Sequence, residues 1–260
     1  MKKNLLIILI ILFLQGCASK MEKPIDPIKK NRINPALHSA WINQIPGNNY
    51  VIGIAKISND VDSMKESAKQ MAAVMMNRNK SSFVIKNYAA IDKEDMLKSD
   101  DAKFELNVGS TKELRKIYQD LELVDYSIAY GYFFGLFSLN GIDVPNKTKI
   151  KNPFVQPSWF EEDKFSDEGN LIVCHTKATS SNLVTAWQNA AEKARQKYAE
   201  YFTKDVQGRI LSYNEDVRVD VAVETSIMLK NLQINKSYFV PHCKNEIWRF
   251  DVYFETIMEK

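Results

Sequence analysis

Asn49-Tyr50-Val51-Ile52-Gly53-Ile54-Ala55-Lys56, followed by Val61, Met64, Ala68, Met71, Ala72 and Met75 at spacings of three and four, decides the fold class. The first stretch is apolar and β-branched, bounded by Asn and Gly, and predicts a strand. The second predicts an amphipathic helix, with Ser63 and Glu66 as its capping box. The plan then returns. Asn170-Leu171-Ile172-Val173-Cys174-His175-Thr176-Lys177 precedes Leu183, Trp187, Ala190, Ala191, Ala194, Tyr198 and Tyr201, and Ala68 and Ala72 match Ala190 and Ala194 at an offset of 122. Small residues on that stripe let a helix approach a sheet closely.

Working outward, strands are predicted near Ser82–Tyr88 and Val206–Tyr213. A shorter helix follows the capping pattern Ser110-Thr111-Lys112-Glu113, through Leu114, Ile117, Tyr118 and Leu121. Its counterpart is Glu224–Leu232, although Val217, Val219, Val221 and Val223 just before it alternate like a strand. Leu121–Leu123 then matches Leu232–Ile234, and Tyr132–Leu139 matches Ile247–Ile257. The polar stretch Asp92–Asn107 accounts for extra length in the first copy. The expectation is an α+β fold of two tandem related units, each strand-helix-strand-helix-strand-strand, with helices packed on a mainly antiparallel sheet. The units span 37–140 and 158–260, joined by a linker at 141–157 rich in Pro and Gly.

Composition agrees with a folded chain. Of 260 residues, 45% are hydrophobic and 26% charged, which excludes long disorder or a coiled-coil rod. The net charge of +3 is too balanced for a dedicated nucleic-acid binder, so no nucleic-acid partner is expected.

Residues 1–16 read as an address. Lys2 and Lys3 precede an unbroken apolar run from Leu5 to Leu14. Ten helical residues rise about 15 Å, half of a hydrocarbon core of about 30 Å, so the run fits a signal-peptide h-region rather than a span. Leu14-Gln15-Gly16-Cys17 resembles the lipobox of bacterial lipoproteins. That resemblance implies a diacylglyceryl thioether on Cys17, cleavage before it and acylation of the new amino group. Ala18 and Ser19 stand where Asp would favour inner-membrane retention, which implies the outer membrane, with the folded part in the periplasm. Residues 17–36 read as a tether, with Lys20, Lys23, Lys29, Lys30 and Arg32 set against Glu22 and Asp26. The nineteen residues from Cys17 to Pro35 reach roughly 60 Å when extended. Either they are solvated or their charge holds them to anionic headgroups.

A lipobox, a Trp ahead of a Gly-containing strand and an Ala-rich amphipathic helix together resemble the Lpp-twenty lipoprotein family. The matching residues are Leu14–Cys17, Trp41, Tyr50–Ala55, Ala68 and Ala72, and in the second copy Trp159, Leu171–Thr176, Ala190 and Ala194. The second copy departs from the pattern where Cys174 or Val173 replaces Gly53. Members are bacterial surface and flagellum-associated lipoproteins, with relatives that build discs or rings around flagellar motors. The resemblance implies a non-enzymatic envelope role.

Chemistry-bearing motifs are scarce. There is no G-x-S-x-G, Walker loop or G-x-G-x-x-G, and only nine glycines. Glu161, Glu162 and Asp163 read as a solvated acidic loop. Cys174-His175 and His242-Cys243 suggest a metal, but neighbours on a strand point to opposite faces, so no metal site is expected. His38 reads as solvated. In an oxidising periplasm Cys174 and Cys243 either form a disulfide, contributing about 4 kcal/mol, or remain two buried thiols. Trp41, Trp159, Tyr132 and Phe133 are candidate interface residues, with a buried hairpin as the competing reading of Tyr126–Leu139.

The functional expectation is a non-enzymatic outer-membrane lipoprotein with a structural or assembly role. It would carry no cofactor beyond the covalent lipid on Cys17, and would partner membrane lipid and either copies of itself or another envelope protein. A self-associating scaffold around a machine such as the flagellum is one form of this role. The alternative is a periplasmic module that regulates a cell-wall enzyme or recognises peptidoglycan.

Overall fold

Tyr50–Lys56 is a strand as predicted, and it runs antiparallel to Tyr132–Leu139 with Gly53 opposite Gly135. The structure, a computed structural model, describes residues 37–88, 103–108, 111–139, 141, 148–151, 153, 155–162, 164–213, 223–244 and 247–260. Residues 1–36, which hold the expected signal segment, the expected lipobox Leu14, Gln15, Gly16 and Cys17, and the expected tether, lie outside them. In chain order the strands are β1 Leu37–Ser39, β2 Tyr50–Lys56, β3 Ser81–Tyr88, β4 Lys103–Val108, β5 Leu121–Ala129, β6 Tyr132–Leu139 and β7 Lys149–Lys151. They continue as β8 Phe165–Glu168, β9 Leu171–Ser180, β10 Val223–Lys230, β11 Gln233–Lys244 and β12 Ile247–Glu259. The helices are α1 Val61–Lys80, α2 Thr111–Asp120 and α3 Leu183–Tyr213. The fold is α+β, with helices packed on antiparallel sheets ordered β2-β6-β5, β11-β12-β9-β8, β10-β3-β4 and β1-β7.

Small residues set the helix–sheet spacing. A Cβ at Gly53 would lie 2.0 Å from the Ala68 carbonyl oxygen, so α1 sits on the backbone of β2. In the second half the Thr176 hydroxyl donates to the Ala190 carbonyl at 3.0 Å, and α3 is seated by a polar contact instead. Trp187 then packs edge-on against Phe254, and Tyr198 donates to the carbonyls of Ile172 and Thr256. Phe134, from the face of the first sheet turned away from α1, stacks on Phe239 of the second. The main core therefore draws on both halves of the chain.

Several expectations need correction. Val206–Tyr213 continues α3 rather than forming a strand. Val206, Ile210 and Tyr213 extend the helical spacing of Phe202, which the eye misses when Val and Ile are read locally as strand formers. Residues 223–230 are a strand, not a helix: Ile227 and Leu229 turn inward while Met228 is exposed. Lys103–Val108, which overlaps the end of the supposed polar insertion, forms β4. The second half therefore runs β8-β9-α3-β10-β11-β12 and does not repeat the first element by element. What recurs is a strand order, first-last-middle, in β2-β6-β5 and β9-β12-β11. The halves are not separate bodies either. β3 pairs with β10 over eight positions, from Ser81–Lys230 to Tyr88–Val223, and Ala36–Lys260 form one compact unit. The expected linker carries β7, which pairs with β1.

Caps and exposures also differ in detail. α1 is capped by Asp60, whose Oδ1 accepts from the backbone N–H of Asp62 and Ser63 at 3.1 Å each, while Glu66 instead accepts from the Tyr118 hydroxyl. Val61 and Tyr201, assigned to buried stripes, are exposed. His38 is fully buried in β1, its ring 6.0 Å from Phe239.

Candidate functional site

Among the described residues, a connected polar cluster sits on the face of β11-β12-β9-β8 that α3 does not cover. His175 and Glu255 are directly opposite in the β9–β12 register. A bulge in β11 between Ile234 and Lys236 sets two residues against one, and both reach Glu255: Asn235 Nδ2 donates at 2.7 Å and Lys236 Nζ at 3.0 Å. The backbone N–H of Glu161 lies 3.1 Å and its carbonyl oxygen 3.3 Å from His175 Nδ1, while Nε2 lies 3.3 Å from Glu255. The turn Pro157–Phe160 lays Phe160 flat on His175 and Trp159 against its edge.

A general base needs a nitrogen that substrate can reach. Both His175 nitrogens are engaged and the side chain is 1% exposed, so the cluster ties the segment before β8 to the sheet. Burial acts to raise the Glu255 carboxyl, but the bonds from Lys236 and Asn235, the Lys236 charge and His175 outweigh it and hold it below its ordinary value. A lowered carboxyl contributes stability above the ordinary carboxylate range, and that stability is lost as pH falls through the folded-state value. Glu255→Gln is therefore expected to lower the urea midpoint near neutral pH, with the gap to wild type narrowing in acid. Denaturation series across pH check this.

A second charged cluster joins α1 to α3. Arg78 Nη1 and Arg195 Nη1 both donate to Glu192 Oε1, the latter at 3.3 Å, and Arg195 Nη2 donates to Asn79 at 2.7 Å. Burial pulls the Arg195 guanidinium down to about 10, Glu192 opposes this, and Arg78 adds to the lowering. It stays charged at neutral pH and is fully buried, so Glu192 is its essential counter-ion. The chain offered no local signal for either cluster, because the partners lie 80 and 114 residues apart.

Three of the four expected interface residues are core. Trp41 is 2% exposed and donates through Nε1 to Asp125 at 2.8 Å, Tyr132 accepts from the Leu183 N–H, and Phe133 lies beneath Tyr126. Strand β6, which carries Tyr132 and Phe133, is buried on both faces, which sequence alternation alone does not reveal. Trp159 is half-buried against His175. The exposed apolar side chains are their neighbours on β5: Leu123, Tyr126 and Ile128. Cys174 and Cys243 do not form a disulfide. They face Thr256 and Trp248 across opposite edges of β12, eight residues or about 26 Å apart along the strand, against a span of about 7 Å for a bridge.

Among the described residues, no group of three or more His, Cys, Asp or Glu is placed to hold a metal ion, and no helix is long and apolar enough to cross a membrane. A cleft lined by Asn48, Tyr50, Asn79, Trp187 and Gln233 has room for about one water molecule. Glu161 and Glu162 of the acidic loop are exposed, and Asp163 lies outside the described residues. No protein-family model, curated protein or solved structure matches the chain.

Proposed function

We propose that the chain is a lipid-anchored lipoprotein of the bacterial outer membrane with a structural or assembly role in the cell envelope. The observation that carries this reading is Cys17, placed directly after Leu14-Gln15-Gly16 at the end of a ten-residue apolar run that begins just behind Lys2-Lys3. A compact unit beginning at Ala36, nineteen residues further on, suits a domain held near a membrane by a tether. The resemblance to Lpp-twenty lipoproteins supports a role in building rather than in catalysis. Val155, Met228 and Ile247 are large apolar side chains open to solvent and available to neighbouring copies. Two or more acyl chains make anchoring effectively permanent, at about 0.8 kcal/mol per buried CH₂. Copies confined to one membrane then meet at high effective concentration.

The test is oligomeric state. Chemical cross-linking in intact membranes, followed by light scattering on the detergent-purified chain, is expected to give one discrete oligomer. A monomer by both measurements would contradict the assembly role.

A further inference from the structure

The outer edge of β5 carries a row of exposed apolar side chains that the core does not use. Leu123 is 37%, Tyr126 54% and Ile128 52% exposed, with Tyr126 lying flat on Phe133 at 5.7 Å. Among the described residues β5 is an edge strand, bonded to β6 on one side alone. Its alternate side chains point the other way and receive the start of the compact unit: the Ser39 N–H donates to Ser127 Oγ at 3.2 Å and Trp41 to Asp125. The chain from Cys17 therefore enters the folded unit at the strand that bears the apolar row. Leu37, the first residue of β1, is itself 53% exposed.

Beside this edge the basic side chains gather on one helix face. α2 runs directly into β5 and buries Ile117 against the core, while Lys112, Arg115 and Lys116 share its solvent face. Exposed Lys151 pairs with Leu37. Glu113, Asp120 and Glu122 are the exposed acids nearby, and the two on α2 lie to one flank of its basic face. Tyr, Ile and Leu in a row, bordered by Lys and Arg, is the composition of a surface that rests at a lipid–water boundary.

We propose that the β5 edge, together with the basic face of α2, rests on anionic headgroups of the membrane that holds Cys17. This rests on the lipid-anchor reading above. Docking would orient the compact unit instead of leaving it to swing on its tether.

The experiment uses the mature chain extracted from membranes, with its intact mass recorded first. It is reconstituted into vesicles of phosphatidylcholine, with or without phosphatidylglycerol, and amide hydrogen exchange is read by mass spectrometry. Peptides covering Leu121–Ala129 are expected to exchange several-fold more slowly in the anionic vesicles. Peptides from Ile247–Glu259 should be unchanged, reporting an intact fold. The Lys112→Glu/Arg115→Glu/Lys116→Glu variant should lose the difference. Equal exchange of β5 in both vesicles by an acylated chain would overturn docking while leaving the anchor standing. Protection that rises with protein density in both vesicles would overturn it in favour of a second copy. A mass without acyl groups would remove the anchor and this proposal together.

Discussion

Gly53→Val is expected to cost more than about 3 kcal/mol, at or beyond the upper end of the usual overpacking range. The new Cβ would lie 2.0 Å from the Ala68 carbonyl oxygen, 2.7 Å from its carbon and 2.9 Å from a ring carbon of Phe137. Two of these are helix backbone atoms, which cannot swing aside as a side chain can. α1 would have to lift from β2, opening the contacts of Met64, Met71 and Met75 with the core. Against a total stability of about 5–15 kcal/mol, the urea midpoint should fall sharply or the chain should fail to accumulate. Ala68→Gly should not rescue it, because the clash is with the carbonyl. A midpoint equal to wild type would mean that α1 does not sit where the structure has it.

Glu192→Ala is the second large effect. It removes the shared acceptor of Arg78 and Arg195 and leaves a fully buried guanidinium with Asn79 as its remaining hydrogen-bond partner. Breaking a buried pair by removing one member costs about 3–5 kcal/mol. Glu192 is 26% exposed, so water can reach part of the vacated site and the lower end, about 3 kcal/mol, is expected. Glu192→Leu combined with Arg195→Met should lose less than Glu192→Ala alone, since replacing both charges removes the stranded one. Urea denaturation of the three proteins checks the order. Equal losses in the single and double variants would show that the helices are held by packing and not by this ion cluster.

Legibility in the sequence followed the range of the interaction. Tyr50–Ala55 and the stripe Met64, Ala68, Met71, Ala72 and Met75 announced themselves because period and burial are local properties. The close approach at Gly53 was signalled by the small residues facing it. α3 was cut short because Val206 and Ile210 serve a strand or a helix equally well, and what decides is continuity with the helix before them. β10 takes only Val223 from the alternating valines, and its partner, β3, lies in the other half, beyond the reach of a local pattern. The same blindness hid Glu255 from His175, and Glu192 from Arg78. A sequence shows that Tyr132 and Phe133 are large and apolar, but whether they face a neighbour or a core depends on what covers the second face of their sheet. Here α1 covers one face and the second half of the chain covers the other.

The state of Cys17 tests the central claim most directly. The protein should be extracted from membranes, digested, and its N-terminal peptide weighed. The account predicts a chain that begins at Cys17 and carries a diacylglyceryl group on sulfur and an acyl group on the new amino terminus. A mature chain that begins elsewhere, or an unmodified Cys17, would contradict it.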